Sequence, residues 1–283
     1  MATPAPLFTL SVPRRSSEMK ETPHRTIVCT KTESVSGPIY LLTFALEPDN
    51  RLDMPFLKNL MLALDIIEFS YPHGVVVTTS GIPKFYSNGL DLKHARETPN
   101  FFTEGLYAVF QRFIAYPMPT VALINGHAFA GGLMLAMYHD YRVMNPSKGF
   151  VCLNELDFGV SLQPAMSSIF RQKLRPEVYR MMVLEAHRFT GIQAYKYNIV
   201  DELGSFPEII AFVENKKLAK KHISGIYGLM RAEMYRETLS LLENYEQEVK
   251  KSDSALQVYR EKEKSRRKVV EEWKNNTVSQ SKL

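Results

Sequence analysis

The sequence predicts an α/β core followed by a helical C-terminal region. Three observations support this fold class. Short apolar runs rich in β-branched residues alternate with segments of helical spacing, glycine-bearing turns follow the strands, and strand signals fade after Pro207. The chain has 283 residues and is 45% hydrophobic, which is enough for one sizeable core with a smaller helical appendage.

The predicted elements of the core alternate along the chain. Strand signals lie at residues 26–30, 39–44, 74–79, 121–124, 141–144 and 149–153, and helical spacing lies at residues 52–67, at 101–113 and from about Gly131. A turn at Ser36-Gly37-Pro38 joins the first two strands, and the Pro-rich run after Phe113 ends the second helical segment.

After Pro207, helix formers of mixed charge replace the strand signals. Residues 218–242 predict one or two amphipathic helices, and residues 245–273 predict a very polar helix, either solvated or packed on a partner subunit. We therefore divide the chain into a flexible N-terminal extension, a core, a helical region that serves oligomerisation and a terminal tripeptide. Their bounds are residues 1–24, 25–206, 207–280 and 281–283.

Composition excludes several classes of protein. The net charge is +5, but no dense Lys/Arg cluster with interleaved aromatic residues occurs in the core, so a nucleic-acid partner is not expected. No run of eighteen apolar residues predicts a membrane span. Cys29 and Cys152 each sit in an apolar run and are expected to be buried thiols, not a disulfide or metal ligands.

The ends of the chain carry targeting information. Residues 1–24 lack the apolar stretch of a secretory signal, and Glu18 and Glu21 argue against a mitochondrial presequence. The final tripeptide, Ser281-Lys282-Leu283, is a peroxisomal address that an import receptor reads. We therefore expect a peroxisomal location, with that receptor as a partner.

Two glycine-bearing loops are candidates for the functional site. Residues 84–92 follow one predicted buried strand, and residues 124–132 follow the next. Turns of this kind leave backbone N–H groups unpaired at a helix start, where they suit an oxyanion or a phosphate. Gly131-Gly132 is equally consistent with close packing alone.

Three stretches resemble the crotonase (enoyl-CoA hydratase/isomerase) superfamily, in its order and spacing. They read FYSNGLDL, PTVALINGHAFAGGLMLAMYHDYRV and GFVCLNELDFGVSL. The resemblance covers roughly residues 26 to 205. It implies a spiral core of strand-strand-helix repeats, acyl-CoA substrates, and a homotrimer or a dimer of trimers.

The resemblance also implies an oxyanion hole, formed by the N–H groups of Leu90 and Gly131. The substrate is then expected to contact Gly131 and the loop of Asn88, Gly89, Leu90, Asp91 and Leu92. Ala130 replaces the first glycine of the family's triplet. Its methyl group is expected to be tolerated, because the donor is residue 131.

The acid/base positions of the family separate its activities. Hydratases are similar to one another in having two glutamates, and here the first position is Met134 and the second is Glu155. The aspartate of the dienoyl-CoA isomerases corresponds to Gln163, and the nucleophilic aspartate of the dehalogenases to Leu135. A single carboxylate, here Glu155, is the pattern of the peroxisomal Δ3,Δ2-enoyl-CoA isomerases of fatty-acid β-oxidation. An apolar wall of Met134, Leu135 and Phe158 is expected to raise the pKa of Glu155 and to exclude water. No metal or cofactor is needed.

Two alternatives remain open, because Ala130 and Asn154 depart from the family pattern. One is another enoyl-CoA hydratase or lyase of a specialised pathway. The other is a non-catalytic paralogue that binds CoA esters. His127 and His139 are expected to pack, Asp140 and Arg142 to form a structural ion pair, and Asp91 to cap or orient its loop.

Overall fold

The computed structural model describes residues 5–13 and 25–280, with side chains described as far as residue 275. Two compact units divide the chain, one ending at Leu242 and the other beginning at Glu243.

Strands and helices alternate through the first unit. The strands are β1 Pro6–Ser11, β2 Thr26–Ser34, β3 Gly37–Ala45, β4 Val75–Ser80, β5 Phe85–Ser87, β6 Thr120–Ile124, β7 His127–Phe129, β8 Tyr141–Met144, β9 Phe150–Cys152, β10 Phe189–Thr190 and β11 Glu202–Leu203. The α-helices are α1 Met54–Ser70, α2 Leu92–Glu97, α3 Ala108–Ala115, α4 Gly131–Met137, α5 Pro164–Lys173, α6 Pro176–Leu184, α7 Gly191–Lys196, α8 Phe206–Asn215, α9 Tyr227–Met234 and α10 Arg236–Glu243. A π-helix covers Phe101–Tyr107, and a 3-10 helix covers Leu218–Ser224. The second unit is built on one long helix, α11 Tyr245–Gln280.

Two sheets organise the first unit. The larger has the strand order β1-β2-β3-β4-β6-β8-β11, antiparallel from β1 to β3 and parallel from β3 to β11. The smaller has the order β10-β9-β7-β5, and β5, β7 and β9 run parallel. Each parallel pair needs a crossover, so the loops that leave successive strands meet at one end of the sheets.

One face of the larger sheet is covered by α8 and the 3-10 helix. Ile39, Val77 and Val121 from the strands pack against Ile209 and Val213 from α8, and all five side chains are fully buried. Continuous β-branched runs suit strands that are buried on both faces, which explains the apolar strand signals.

Helix α1 begins where the sequence offers an N-cap. The Asp53 carboxylate accepts a hydrogen bond from Phe56 N–H at 2.9 Å and pairs with Arg25 at 2.5 Å, and Pro55 occupies the first turn. Leu57, Leu60 and Leu64 are then fully buried on one side of the helix.

The predicted α/β core with a helical C-terminal region is confirmed, but two predicted boundaries differ. Residues 6–11, assigned to the flexible extension, form β1, which pairs antiparallel with β2. The helices after Pro207 pack into the first unit, and the chain divides after Leu242 instead. The composition changes at residue 207 because the last strand of the larger sheet ends before it. The helices that follow then cover one face of that sheet.

Candidate active site

The two predicted loops meet because their short strands pair. Phe85 lies opposite His127 and Ser87 opposite Ala128, so the loop after β5 runs beside the start of α4. A side-chain carbon built on Gly89 would lie 3.1 Å from Gly131 N. Gly89 has φ +82°, which favours glycine, so both its space and its backbone require this residue type.

The loop after β5 is held by residues that precede α1. Arg51 Nη1 donates to the carbonyl oxygens of Asn88 and Leu90 at 3.0 and 3.1 Å, and its Nε pairs with Asp49 at 2.9 Å. Asn88 donates to Asp49 through its backbone N–H at 3.0 Å and through its side chain at 2.6 Å. Arg51 and Asp49 therefore fix the carbonyl oxygens of Asn88 and Leu90 and the side chain of Asn88.

Two backbone amides lack an acceptor in the part of the chain that the structure describes. Leu90 N–H and Gly131 N–H donate no hydrogen bond to any described residue, whereas Met134 N–H already bonds Ala130 O at 3.0 Å. Gly131 is the first residue of α4, where an intrahelical acceptor is missing by geometry. A carbon built on Gly131 would lie 3.4 Å from Leu90 N, so the two amides adjoin one space.

The start of α4 is tightly constrained. A side-chain carbon on Gly132 would lie 2.3 Å from Ser87 O, so only glycine fits there. Ala130 adopts φ 48° and ψ −121°, a conformation that residues with a side chain rarely adopt. Ala130 therefore carries backbone strain at the start of the helix.

A cavity of about 480 Å³ opens beside these amides. Of the predicted site residues, Asn88, Leu90, Leu92, Gly131 and Glu155 line it. Gly89 and Asp91 do not. The Asp91 carboxylate instead accepts from His94 N–H at 2.9 Å and caps α2, which confirms its expected capping role.

Glu155 follows β9 and lies in the turn that closes this cavity. Its carbonyl oxygen accepts from Phe158 N–H at 3.2 Å and Val160 N–H at 2.9 Å, which fixes the backbone. Burial raises the pKa of its carboxyl group from 4.5 to about 7. Its Oε2 is buried and has no hydrogen-bond partner among the described residues. A proton acceptor with this pKa can take and return a proton near neutral pH.

The cavity wall is largely apolar, and sequence reasoning found only part of it. Met134 and Phe158 line it as expected, but Leu135 is buried elsewhere. The lining residues that sequence reasoning missed are Arg51, Ala95, Arg96, Phe102, Val160, Ser161, Leu162 and Met166. Most belong to turns and short helices that carry no periodic signal. Ala130, Asn154 and Gln163, which the sequence analysis named at positions of the family pattern, also line it.

Asn154, which the sequence analysis named only as a departure from the family pattern, belongs to the cavity wall. It stands where the resembled family has proline, and it is 9% exposed. Its Oδ1 is buried without a hydrogen-bond partner in the described part of the chain. Two adjacent residues of the cavity wall, Asn154 and Glu155, thus each carry a buried oxygen without a hydrogen-bond partner among the described residues.

The residues that were predicted to have structural roles lie outside the cavity. His127 Nδ1 accepts from Phe150 N–H at 3.1 Å, and fully buried His139 bonds Thr78 at 2.8 Å, so both pack as expected. The predicted pairing of Asp140 with Arg142 is wrong. Arg142 pairs with Asp201 at 2.8 Å and Asp140 pairs with Arg231 at 2.5 Å, so each charge has its partner in a part of the chain that is distant in sequence.

Two negative findings concern the described residues only. In residues 5–13 and 25–280, no group of three or more His, Cys, Asp or Glu side chains is arranged to hold a metal ion. None of the helices described has both the length and the apolar character needed to cross a membrane.

Comparison with known proteins was made at the level of sequence and of structure. The profile of the family "Enoyl-CoA hydratase/isomerase" matches residues 36–277. Two peroxisomal proteins of Arabidopsis thaliana are similar to the chain. Enoyl-CoA delta isomerase 1 is 32% identical over 71% of this chain and 88% of its own length, and enoyl-CoA delta isomerase 2 is 29% identical over 73% and 92%. The crystal structure of human mitochondrial delta3-delta2-enoyl-CoA isomerase superposes with a TM-score of 0.65 over 84% of this chain and 98% of that one, at 24% identity.

Proposed function

The chain belongs to the enoyl-CoA hydratase/isomerase family, and we propose that it is a Δ3,Δ2-enoyl-CoA isomerase that moves protons with Glu155 alone. One observation carries this proposal. Glu155 is the only acidic side chain among the described residues that line the cavity, and the unpaired amides of Leu90 and Gly131 open onto the same cavity.

The proposed reaction begins with the thioester oxygen of a 3-enoyl-CoA against the N–H groups of Leu90 and Gly131. The ionised Glu155 carboxylate removes a proton from C2, and the electron pair delocalises into a dienolate whose charge rests on the thioester oxygen. The two amides stabilise that charge. The protonated carboxyl then returns the proton to C4, which leaves the double bond between C2 and C3. The reaction is a 1,3-proton transfer and needs no cofactor or metal.

The apolar wall supports isomerisation over hydration. Met134 cannot hold or activate a water molecule, and Phe158 and Met166 add to a lining that favours an acyl chain. Burial that excludes water also explains the raised pKa of Glu155. The proposed substrates are therefore unsaturated fatty acyl-CoA esters whose double bond must be moved before β-oxidation continues.

Hydration of a 2-enoyl-CoA is the second candidate, and Asn154 is the observation that favours it. Its Oδ1 has no hydrogen-bond partner among the described residues, and an amide oxygen can accept a hydrogen bond from water. We rank it below isomerisation, because a side-chain amide cannot take a proton from that water.

Direct assay separates these functions. The purified protein is given 3-enoyl-CoA and 2-enoyl-CoA, and double-bond shift and water addition are followed separately. The proposal expects fast isomerisation with hydration at least about a hundredfold slower, the usual scale of acid/base catalysis. Efficient hydration with weak isomerisation would replace the first proposal by the second, and CoA-ester binding without either reaction would indicate a non-catalytic paralogue.

We also propose a homotrimer or a dimer of trimers. An exposed apolar face lies on α9 and the residue before it. It is formed by Ile226, Leu229, Met230 and Met234, which are between 49% and 70% exposed. A stripe of this kind on a packed helix needs a cover. A stable monomer in sedimentation at micromolar concentration would contradict this proposal.

The proposed location is the peroxisome. The two Arabidopsis relatives carry that location in their names, and Ser281-Lys282-Leu283 is a peroxisomal address read by an import receptor. This tripeptide lies outside the described residues. Deletion of Leu283 should leave a fluorescently tagged protein in the cytosol, and unchanged import would remove the basis of the proposal.

A further inference from the structure

Helix α11 carries an apolar stripe at heptad spacing. Leu256 and Tyr259 are three residues apart, Val270 and Trp273 repeat the pattern fourteen residues later, and all four are between 47% and 64% exposed. They occupy the a and d positions of a heptad. The remainder of α11 is dominated by charged and polar residues. An exposed stripe of large side chains on so polar a helix is typical of a surface that pairs with another helix.

Two charged residues interrupt the stripe at its centre. Glu263 stands at the a position and Arg266 at the d position between the two apolar pairs. Glu263 Oε1 now accepts from Arg267 of the next turn at 2.6 Å, and the Arg266 guanidinium lies 5.5 Å from the Tyr259 ring. Single polar residues in such a seam fix the register and orientation of a helix pair.

We propose that α11 pairs with α11 of a second copy of this chain, in antiparallel orientation and centred between Glu263 and Arg266. In an antiparallel pair, a positions of one helix face d positions of the other. Glu263 then faces Arg266 of the second copy, Tyr259 faces Val270, and Leu256 faces Trp273. By symmetry each contact occurs twice, so two ion pairs lie between four apolar layers.

The charges select this register over its neighbours. A shift of one heptad in either direction would set Glu263 and Arg266 against apolar residues and leave both charges buried without a partner. A parallel pair would set Glu263 against Glu263 and Arg266 against Arg266, which is repulsive. Only the antiparallel register centred between these two residues satisfies both charges.

Charged residues on either side of the apolar stripe make weaker contacts that nearly cancel. In this register Asp253 lies beside Lys274 of the second copy, which is attractive. Arg260 lies beside Arg267 of the second copy, which is repulsive, although long side chains can turn such charges to solvent. The central ion pairs and the apolar layers therefore decide the pairing.

Charge exchange in the full-length protein tests the proposal, with the molar mass measured by sedimentation equilibrium at micromolar concentration. Glu263→Arg sets Arg against Arg in both central layers, and Arg266→Glu sets Glu against Glu. Where the first unit forms a trimer, pairs of α11 join two trimers, so each single variant is expected to have half the mass of the wild type. The double variant Glu263→Arg/Arg266→Glu should regain the full mass, and so should an equimolar mixture of the two single variants.

Glu261→Arg is the matched control, since it makes the same change two residues earlier, on the side of the helix away from the stripe. It should keep the wild-type mass, and circular dichroism should show unchanged helix content in all variants. If Glu263→Arg and Glu261→Arg have the same mass, α11 does not pair through this stripe. If the single variants lose mass but neither the double variant nor the mixture regains it, the antiparallel register is wrong.

Discussion

A side-chain carbon placed on Gly131 would lie 3.2 Å from Leu90 Cγ and 3.4 Å from Leu90 N, so the first residue of α4 and the loop after β5 adjoin one small space. Gly131→Ala should therefore obstruct the thioester oxygen while the helix still forms. We expect kcat/KM for 3-enoyl-CoA to fall about tenfold to a hundredfold. Complete loss of one hydrogen-bond donor to the oxyanion would lower the rate by about a hundredfold or more. The free energy of unfolding should change by less than about 1 kcal/mol, since alanine favours a helix.

Gly132→Ala is the contrasting variant, one residue away. Its added carbon would lie 2.3 Å from Ser87 O, a backbone atom that cannot move without shifting β5. We expect a loss of about 2 to 3 kcal/mol in the free energy of unfolding, the scale of overpacking. Denaturation with urea compares both variants. Equal stability of the two would contradict the tight contact of α4 with β5.

The pH dependence of the reaction should report Glu155. The proposed base must be ionised, and burial raises its pKa to about 7, so kcat/KM should rise with pH through that value. Glu155→Gln keeps the shape and removes the base, and we expect at least about a hundredfold lower isomerisation with CoA-ester binding retained. Near-full activity of this variant would rule out the single-base reaction.

The same group links stability to pH. Between the ordinary pKa of 4.5 and the folded value of about 7, the folded protein binds more protons at Glu155 than the unfolded chain does. The free energy of unfolding therefore falls as pH rises across this window. Glu155→Gln should remove that loss and stabilise the protein by about 1 to 3 kcal/mol at pH 8, but not at pH 4. Urea titrations of both proteins at the two pH values measure the difference.

The sequence was sufficient for the parts of the fold that repeat a period. The strand predicted at residues 141–144 matches β8, and the strands predicted at 74–79 and 121–124 are the neighbours β4 and β6. These segments are short, rich in β-branched residues and almost entirely buried, and those features distinguish a buried strand from a buried helix. The small strands β10 and β11 have two residues each and carry no period, because tertiary pairing alone defines them.

The candidate site divides along the same line. Leu90, Gly131 and Glu155 were predicted from motifs whose glycines must stand where backbones approach closely. The hydrogen bonds of Arg51 to the loop after β5 and the position of Asn154 in the cavity wall depend on which loops meet in space. Local sequence patterns do not predict such contacts. The pairing of Asp140 was mispredicted for the same reason, since Arg231 lies 91 positions away along the chain.

Ala130 offers a test of backbone strain at the start of α4. Its φ of 48° and ψ of −121° suit glycine far better than alanine. Ala130→Gly should relieve strain of about 1 to 3 kcal/mol, part of which is offset by the greater freedom of glycine in the unfolded chain. We expect a net gain of roughly 1 kcal/mol in the free energy of unfolding and isomerase activity within about threefold of the wild type. A destabilised variant would show that the methyl packing outweighs the strain.

Met134 offers the last test, because it stands where hydratases of the resembled family carry their first glutamate. Only 1% of the Met134 surface is exposed, yet this residue lines the cavity together with Glu155. Met134→Glu supplies a second carboxylate, so water can be held by one group and activated by the other, and hydration of 2-enoyl-CoA should rise at least about tenfold above the wild type. Two carboxylates in one cavity should also raise the apparent pKa of the pair, so isomerisation should need a higher pH. Met134→Gln is the control, since it adds polarity without a titratable group, and it should leave hydration unchanged. If both variants gain hydration equally, access of water limits that reaction, and the missing carboxylate is not what makes this site an isomerase.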